Sequence, residues 1–504
     1  MEKAITKDKG GFLNYVERVG NALPNPALLF GIFALSIIII SLLASWAGWT
    51  ANHPVTNELI EPVNLLSRDG FHRILLEMVE NFTGFAPLGI VLVAMLGIGI
   101  AEGSGLIGAA IRKLVLSAPK KSLSFVMVFA GILSNMASDV GYVLLIPLAG
   151  IIFIAVKRHP IVGMAAAFAG VSGGFSANLM LGTIDPLLAG LSTEAARIVD
   201  VNYEVNPTAN YYFMFVSTFI IAFAGTFVTE KIIAPRFGEY QGDDQVSMDR
   251  LNAKEKKGLR MAGLVFLGFV LLILAGVIPE QGFLRTAEGS ILKGPLIKGV
   301  VSWLLLIMTG MGLAYGFASG NYKSQNDVVK GMTASIKSLS GYVVLVFFAA
   351  QFVAYFKWSN LGLIFAIKGA VFLKDLDLGL IPLMILFILF AAMMNMFMGS
   401  ASAKWAVLGP IFIPMFMIMG YSPELSQVVY RIGDSVTNII SPMMSFFALI
   451  ITYFQKYDQK SGIGTIMSTM LPYSAAFFVA WIILLIVWIV LGLPLGPGVG
   501  VYLN

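Results

Sequence analysis

The sequence predicts an all-α polytopic membrane protein: about nine transmembrane helices plus two re-entrant hairpins, arranged as inverted repeats. Three observations lead there. Of the 504 residues, 58% are hydrophobic and only 12% charged, and mean hydropathy is +0.84, whereas soluble domains carry about 25% charged residues. Apolar runs extend from one end of the chain to the other, interrupted by short polar loops. A weak internal match also recurs at an offset of 263 residues (405 − 142).

That composition excludes a soluble enzyme and a disordered chain. The absence of cysteine rules out disulfides, Fe–S clusters and thiolate zinc sites. His53, His72 and His159 are the only histidines and stand far apart, so no metalloprotease pattern exists. There is no Walker A sequence, and transport is therefore not driven by ATP bound to this chain. The glycines of Gly97-Ile-Gly-Ile-Ala-Glu-Gly103 resemble a dinucleotide loop only loosely and continue a membrane helix. A net charge of +5 does not indicate nucleic acid, because basic loops of membrane proteins face the cytoplasm.

A spanning helix needs roughly 20 mostly apolar residues. The stretches 27–47, 85–101, 211–229, 261–278, 298–318, 341–358 and 470–493 qualify. The charged segment before the first run, and the absence of a small-residue cleavage site after it, predict a retained helix and not a signal peptide. Two further spans are interrupted. Residues 161–190 contain Ser172-Gly-Gly-Phe-Ser-Ala-Asn178 and Thr183-Ile-Asp-Pro186; residues 425–452 contain Arg431-Ile-Gly-Asp434 and Asn438-Ile-Ile-Ser-Pro442. Such breaks free backbone groups that must be satisfied by protein or water. Residues 123–156 and 380–419 each consist of two apolar legs, shorter than a comfortable span, around small polar tips. These tips, Ser134–Gly141 and Asn395–Lys404, mark re-entrant hairpins.

The domain plan follows. Residues 1–84 form a first helix and external loop of a scaffold. Residues 85–229 are the first repeat, with hairpin 123–156 and broken helix 161–190. A basic cytoplasmic loop and two scaffold helices fill 230–340, and 341–504 is the second repeat, with hairpin 380–419 and broken helix 425–452. The 48–84 loop is acid-rich. Arg112, Lys113, Lys120 and Lys121 mark 102–122 as basic, seven Lys/Arg lie between Lys231 and Arg260, and the 319–340 and 454–465 loops are Lys-rich. All basic loops share one side if the N-terminus is cytoplasmic and the C-terminus outside. The repeat pairs Tyr142 with Trp405, Leu145 with Leu408, Pro147 with Pro410, Phe153 with Phe416, Pro160 with Pro423, Gly170 with Gly433 and Ser172 with Ser435. Inverted repeats with broken helices at the midplane are a pattern of secondary transporters.

Ionisable residues within spans are costly and mark candidate sites. Asp139 lies on the first hairpin tip, Asp185 in the first broken helix, and Arg431 and Asp434 in the second. Arg431 and Asp434 are i,i+3 and share a helix face, so they are placed to pair. Such a pair either neutralises itself or binds cargo; Asp185-Pro186 either ends a helix or carries chemistry. Lys404 is read as a tip residue in water. Asn395, Gly399, Asp434 and Asn438 supply hard oxygen ligands with one negative charge, which suit a monovalent cation; satisfying freed backbone groups is the competing reading. Asn135, Asp139 and Asn178 mirror them in the first half. Trp405 either packs or stacks an aromatic ligand whose carboxylate Arg431 holds, which predicts an aromatic anion as substrate. The 25 methionines are helix packing.

Over essentially the whole chain these motifs resemble the p-aminobenzoyl-glutamate transporter (AbgT) family. The resemblance rests on Asn81-Phe-Thr-Gly-Phe-Ala-Pro-Leu-Gly89, Gly174-Phe-Ser-Ala-Asn-Leu179, Trp358-Ser-Asn360 and the stretch Gly399–Pro442. It implies a homodimer of nine-span subunits in the bacterial inner membrane, with a water-filled basin open to the cytoplasm. A scaffold domain would dimerise and a transport domain would carry the hairpins. It further implies functional residues at Asp185, Ser402, Trp405, Pro423, Arg431, Asp434 and Pro442, and a sodium site at Asn395, Gly399, Asp434 and Asn438. The implied activity is ion-gradient-driven transport of p-aminobenzoyl-glutamate and related aromatic anions, with export of p-aminobenzoic acid and sulfonamides as one direction; Gly182–Pro186 leans toward the exporting members. The chain is expected not to be an enzyme: no Ser-His-Asp set, paired catalytic aspartates or His-rich metal site supports an intramembrane hydrolase. A channel would need a continuous pore, against which the dead-end hairpins argue. A carrier of another small carboxylate is the remaining alternative.

Overall fold

A computed structural model gives the fold and describes residues 26–52, 57–136, 141–238, 240, 251–442 and 444–503. The chain opens with α1 (Pro26–Trp46), then a two-stranded ribbon pairing Ala51 with Ile60, then α2 (Arg68–Thr83) and α3 (Ala86–Gly103). The acid-rich segment expected as a loop thus holds a helix. Ser67 caps it by accepting from the Gly70 N–H at 3.1 Å, and Asp69 sits in its first turn, both favourable at a helix N-terminus. Together α2 and α3 make a 36-residue stretch.

The first repeat continues with α4 (Leu106–Leu116), α5 (Leu123–Ser134), a π-helical turn at Gly141–Leu145 leading into α6 (Ile146–Ala155), and α7 (Pro160–Phe168). A second π turn, Ala169–Gly173, ends α7; the chain is then non-helical until α8 (Ile184–Ala196), which is the predicted break. Helix α9 (Tyr211–Val228) closes this half. Helices α10 (Ala253–Val277) and α11 (Val300–Ser319) follow, then α12 (Gln325–Ser338). The Lys-rich segment that contains α12 reads as a loop because half its face is polar. In the fold its small residues pack on α3: a Cβ on Gly103 would lie 2.8 Å from Gly331 Cα, and one on Gly97 2.7 Å from the Leu305 backbone of α11. The glycines of the discarded dinucleotide motif are therefore close helix-packing points.

The second repeat comprises α13 (Ser340–Trp358), α14 (Leu361–Asp375), α15 (Leu380–Asn395), α16 (Ala401–Ile418), α17 (Pro423–Asn438), α18 (Phe447–Gln455) and α19 (Ile463–Val490). Among the described residues eight helices are long and apolar enough to cross a membrane, or nine if α4 and the Lys120–Ser134 segment, bent by 113°, count as one. One of the eight is α16, an 18-residue hairpin leg and so longer than expected; the fragments of the broken helices are each too short. Large apolar side chains such as Leu76, Leu264, Leu271 and Val490 face outward, as a lipid-exposed surface requires.

The repeat is visible in packing. Each broken helix presses a glycine onto the outgoing hairpin leg: a Cβ on Gly170 would lie 2.1 Å from Val128 O, and one on Gly433 2.5 Å from Ile388 O. These outgoing legs register at an offset of 260 (388 − 128), while Gly170 and Gly433 keep 263, because the chain from Asn395 to Trp405 is three residues longer than that from Asn135 to Tyr142. The halves also interlock. Helix α8, the far part of the first broken helix, packs against α16 and α17 of the second half. That crossing brings Asp185 to Arg431.

Candidate functional site

Helix α17 positions the central charges. Ser422 caps it by accepting from the Leu425 N–H, Pro423 occupies its first turn where a missing N–H costs nothing, and nearly every residue along it is buried. Arg431 and Asp434 share a face but do not form the expected local pair. Arg431 Nη1 donates to Asp185 Oδ1 at 2.6 Å, between side chains only 5% and 3% exposed. Asp185 Oδ2 accepts from the Gly182 N–H at 2.6 Å, so this carboxylate both ties down the break before α8 and neutralises the guanidinium.

Asp434 has another partner. Lys404, in the first turn of α16, is fully buried and donates from Nζ to both Asp434 Oδ1 and Asn395 Oδ1. This corrects its reading as a tip residue in water: the helix that starts at Ala401 turns the fourth residue inward, onto the only carboxylate that faces it among the described residues. Asn395 ends α15 and donates from Nδ2 toward Asp434 O at 2.8 Å, Thr437 Oγ1 at 2.9 Å and Asn438 Oδ1 at 2.8 Å. Ser441 Oγ donates to Asn395 O at 3.0 Å, and Asn438 Nδ2 approaches Asp434 Oδ2 at 3.4 Å. Sequence reasoning missed Lys404, Thr437 and Ser441; the i,i+3 spacing of Asp434 and Thr437 was the available signal for one of them.

These donors test the sodium set. Asn395 turns its amide nitrogen, not its oxygen, toward Asp434 O and Asn438 Oδ1, and its oxygen and Asp434 Oδ1 both receive the Lys404 ammonium. Gly399 lies in the non-helical, partly exposed tip. In this arrangement the four residues do not form a sodium cage.

Trp405 is likewise not placed as a ligand-stacking ring. It is fully buried, stacked on Tyr430 with centroids 4.4 Å apart at 22°, and its Nε1–H donates to Ser192 Oγ at 2.9 Å. Ser192 donates to Gln427 Oε1 (2.7 Å), Gln427 Nε2 to Asn210 Oδ1 (2.8 Å), and Asn210 Nδ2 to Glu424 O (3.0 Å). This buried chain, absent from the sequence reading, holds α8, α9, α16 and α17 together. Ser402 is partly exposed at the tip, 3.3 Å from Ser400 Oγ, and Pro442 lies in the turn where α17 ends.

In the mirrored half, Asn135 directly follows α5, where Asn395 closes α15, and it is buried with no partner for its Nδ2 among the described residues. Asn178 accepts from the Leu179 N–H. Asp139 lies outside the described residues. The repeat places Gly141 opposite Lys404 and Val171 opposite Asp434 (404 − 141 and 434 − 171 are both 263), so this ion pair has no counterpart there.

Two openings flank the site. A void of about 10 Å³ beside Arg431 is lined by Ser176, Asn210, Met214 and Trp481, and Arg431 Nε is buried without a hydrogen-bond partner. A larger cavity of about 530 Å³ lies between α2, α8 and α13, lined by Glu77, Asn81, Glu194, Arg197, Lys357 and Trp358. It lies roughly 14 Å along α8 from Asp185, at 1.5 Å per residue, and Asn81 and Trp358 begin two of the motifs noted in the sequence.

Comparisons with known proteins give the family and the fold. The chain is 37% identical over 495 residues to the p-aminobenzoyl-glutamate transport protein of Escherichia coli (strain K12), covering 98% of this chain and 97% of that protein. It resembles the crystal structure of the Alcanivorax borkumensis YdaH transporter, described as having an unusual topology, with TM-score 0.90 and 44% identity over 94% of this chain and 100% of that one. It resembles Neisseria gonorrhoeae MtrF, described as illuminating a class of antimetabolite efflux pumps, with TM-score 0.92 and 49% identity over 97% and 100%. The model of the AbgT putative transporter family matches residues 11–503, and with that full-length match the chain belongs to this family of multi-pass membrane transporters.

Proposed function

We propose that the protein is a secondary active transporter of p-aminobenzoyl-glutamate and related aromatic anions, driven by an ion gradient. The observation that carries this reading is the Arg431–Asp185 pair, which joins the two broken helices while leaving Arg431 Nε without a partner beside a void. A guanidinium held by one carboxylate through one nitrogen has donors left for another. An incoming substrate carboxylate would compete with Asp185 for Arg431, so loading and separation of the two halves become one event. Asp185, once released, would orient the substrate or relay a proton. Trp405 would reach the aromatic ring only if α16 moves away from Tyr430, which places ring recognition in a different state of the alternating-access cycle.

The higher identity to the antimetabolite efflux pump than to the p-aminobenzoyl-glutamate transport protein supports export, including that of p-aminobenzoic acid and sulfonamides. We further propose a homodimer in the bacterial inner membrane, with the N-terminus cytoplasmic, a reading that the basic loops support. The hairpins and broken helices form the moving part, and α1, α3 and α10–α13 the scaffold. The test is flux of radiolabelled p-aminobenzoyl-glutamate in proteoliposomes, with sodium and proton gradients imposed separately and Arg431→Ala as control. Saturable flux by the wild type, lost in a variant that remains inserted, is the expected result. Normal transport by Arg431→Ala, or no flux of any aromatic anion under either gradient, overturns the reading.

A further inference from the structure

We infer that Lys404 is the resident cation of the second-hairpin cluster and that its ammonium keeps sodium out of it. The oxygens best suited to a monovalent cation, Asn395 Oδ1 and Asp434 Oδ1, both accept from Lys404 Nζ, and the donor and both acceptors are buried. Asn438 Oδ1 and the neighbouring oxygens of α17 are engaged in a way that a metal ion cannot share. Asn395 Nδ2, an N–H donor, points at Asp434 O, Thr437 Oγ1 and Asn438 Oδ1. A sodium ion among these three oxygens would face amide hydrogens.

Charge gives the same answer. Among the described residues the cluster holds one carboxylate and one ammonium, and the neighbouring Arg431 already has Asp185. A sodium ion added beside Lys404 would leave an unbalanced positive charge in a buried site. Two unit charges about 4 Å apart at an effective dielectric of about 20 weaken binding roughly a thousandfold. Sodium and Lys404 therefore exclude each other: one cation balances Asp434, and the chain supplies it.

The internal repeat provides a separate argument. The mirrored positions of Lys404 and Asp434 are Gly141 and Val171, while the amide Asn135 is retained in the first half opposite Asn395 at the hairpin-leg offset of 260. The lysine and the aspartate thus occur together or not at all within this chain, as expected of two halves of one neutral unit and not of a metal site with a lysine nearby. Lys404 also joins α15, α16 and α17 through a single atom, so it locks the hairpin tip to the broken helix. This role concerns the ion and holds whichever anion is carried.

The test uses the purified full-length protein and sodium alone, without organic substrate, so its outcome is separable from that of the flux experiment. Thermal unfolding midpoints in sodium chloride and in choline chloride of equal ionic strength are compared, together with saturable binding of radioactive sodium. The wild type is expected to show equal midpoints and no saturable binding. Lys404→Met, which keeps the bulk and removes the charge, is expected to bind sodium saturably and to gain a sodium-specific rise in midpoint. Adding Asp434→Asn should abolish both gains. Saturable sodium binding by the wild type that Asp434→Asn removes overturns the inference, as does failure of a folded Lys404→Met to bind sodium. Should Lys404→Met not fold, Lys404→Gln replaces it, and the wild-type measurement decides by itself.

Discussion

Arg431 and Asp185, 246 positions apart, meet at 2.6 Å because the first broken helix resumes against the second. Separating the partners of a buried ion pair leaves an uncompensated charge and costs about 3–5 kcal/mol. Arg431→Gln and Asp185→Asn should each lower stability by that order in detergent, and the double variant should be more stable than either single one. Calorimetric unfolding of the four proteins measures the coupling. Additive losses would mean that the contact has no energetic role.

The glycine contacts under the broken helices predict a steric defect. Gly433→Ala places a methyl carbon about where Ile388 O lies 2.5 Å away, and the atom met is backbone. The helix must shift, at about 1–3 kcal/mol by the range for overpacked cores. Gly433→Leu should prevent insertion of a folded protein, visible as lost monodispersity in size-exclusion chromatography. Gly379→Ala is the control, since only Pro382 lies near its added carbon, at 4.0 Å, and it should be near neutral.

Ser192 links Trp405 to the chain running through Gln427 and Asn210. Ser192→Ala leaves the Trp405 N–H and Gln427 Oε1 without their partner, a loss of about 1–3 kcal/mol. Ser192→Thr retains the hydroxyl and should recover most of the stability. If Trp405 is held in place for a later step, the alanine variant should reduce the maximal rate of transport more than it changes the half-saturating substrate concentration. Equal activity and stability in all three proteins would show the chain to be dispensable.

His159 lies at the mouth of the first broken helix, outside its apolar run, and its Nδ1 accepts from the Ile161 N–H at 3.3 Å as an N-cap. Burial lowers its pKa below 6.5, against a smaller opposing effect of Asp458. The unfolded chain therefore takes up the proton first. Stability contributed here is present above pH 6.5 and declines as pH falls through 6.5 toward the folded value. His159→Asn keeps a capping acceptor without titrating, so its midpoint should fall less than that of the wild type between about pH 7.5 and 5.5. Parallel curves would exclude this source of acid sensitivity.

The sequence alone determined where the long apolar helices, the polar tips between them and the breaks lie, because apolar length and the placement of Gly, Pro, Asn and Asp act on the local backbone. It also singled out Asp185, Arg431, Asp434 and Asn395, since charged and amide groups at membrane depth demand partners wherever they occur. It could not assign those partners. Helical spacing put Arg431 beside Asp434, yet each found a stronger contact across the molecule, Asp185 and Lys404, once α8 and α16 were packed against α17. The orientation of Lys404 depended on where α16 begins, and the closure of Trp405 on Tyr430 and Ser192 approaching from two other helices. Amphipathic α2 and α12 were hidden for a related reason: their polar faces resemble loop sequence until a neighbour covers the other side. Pairing energy depends on distance in space, and in this fold residues far apart in sequence supply the closest charges.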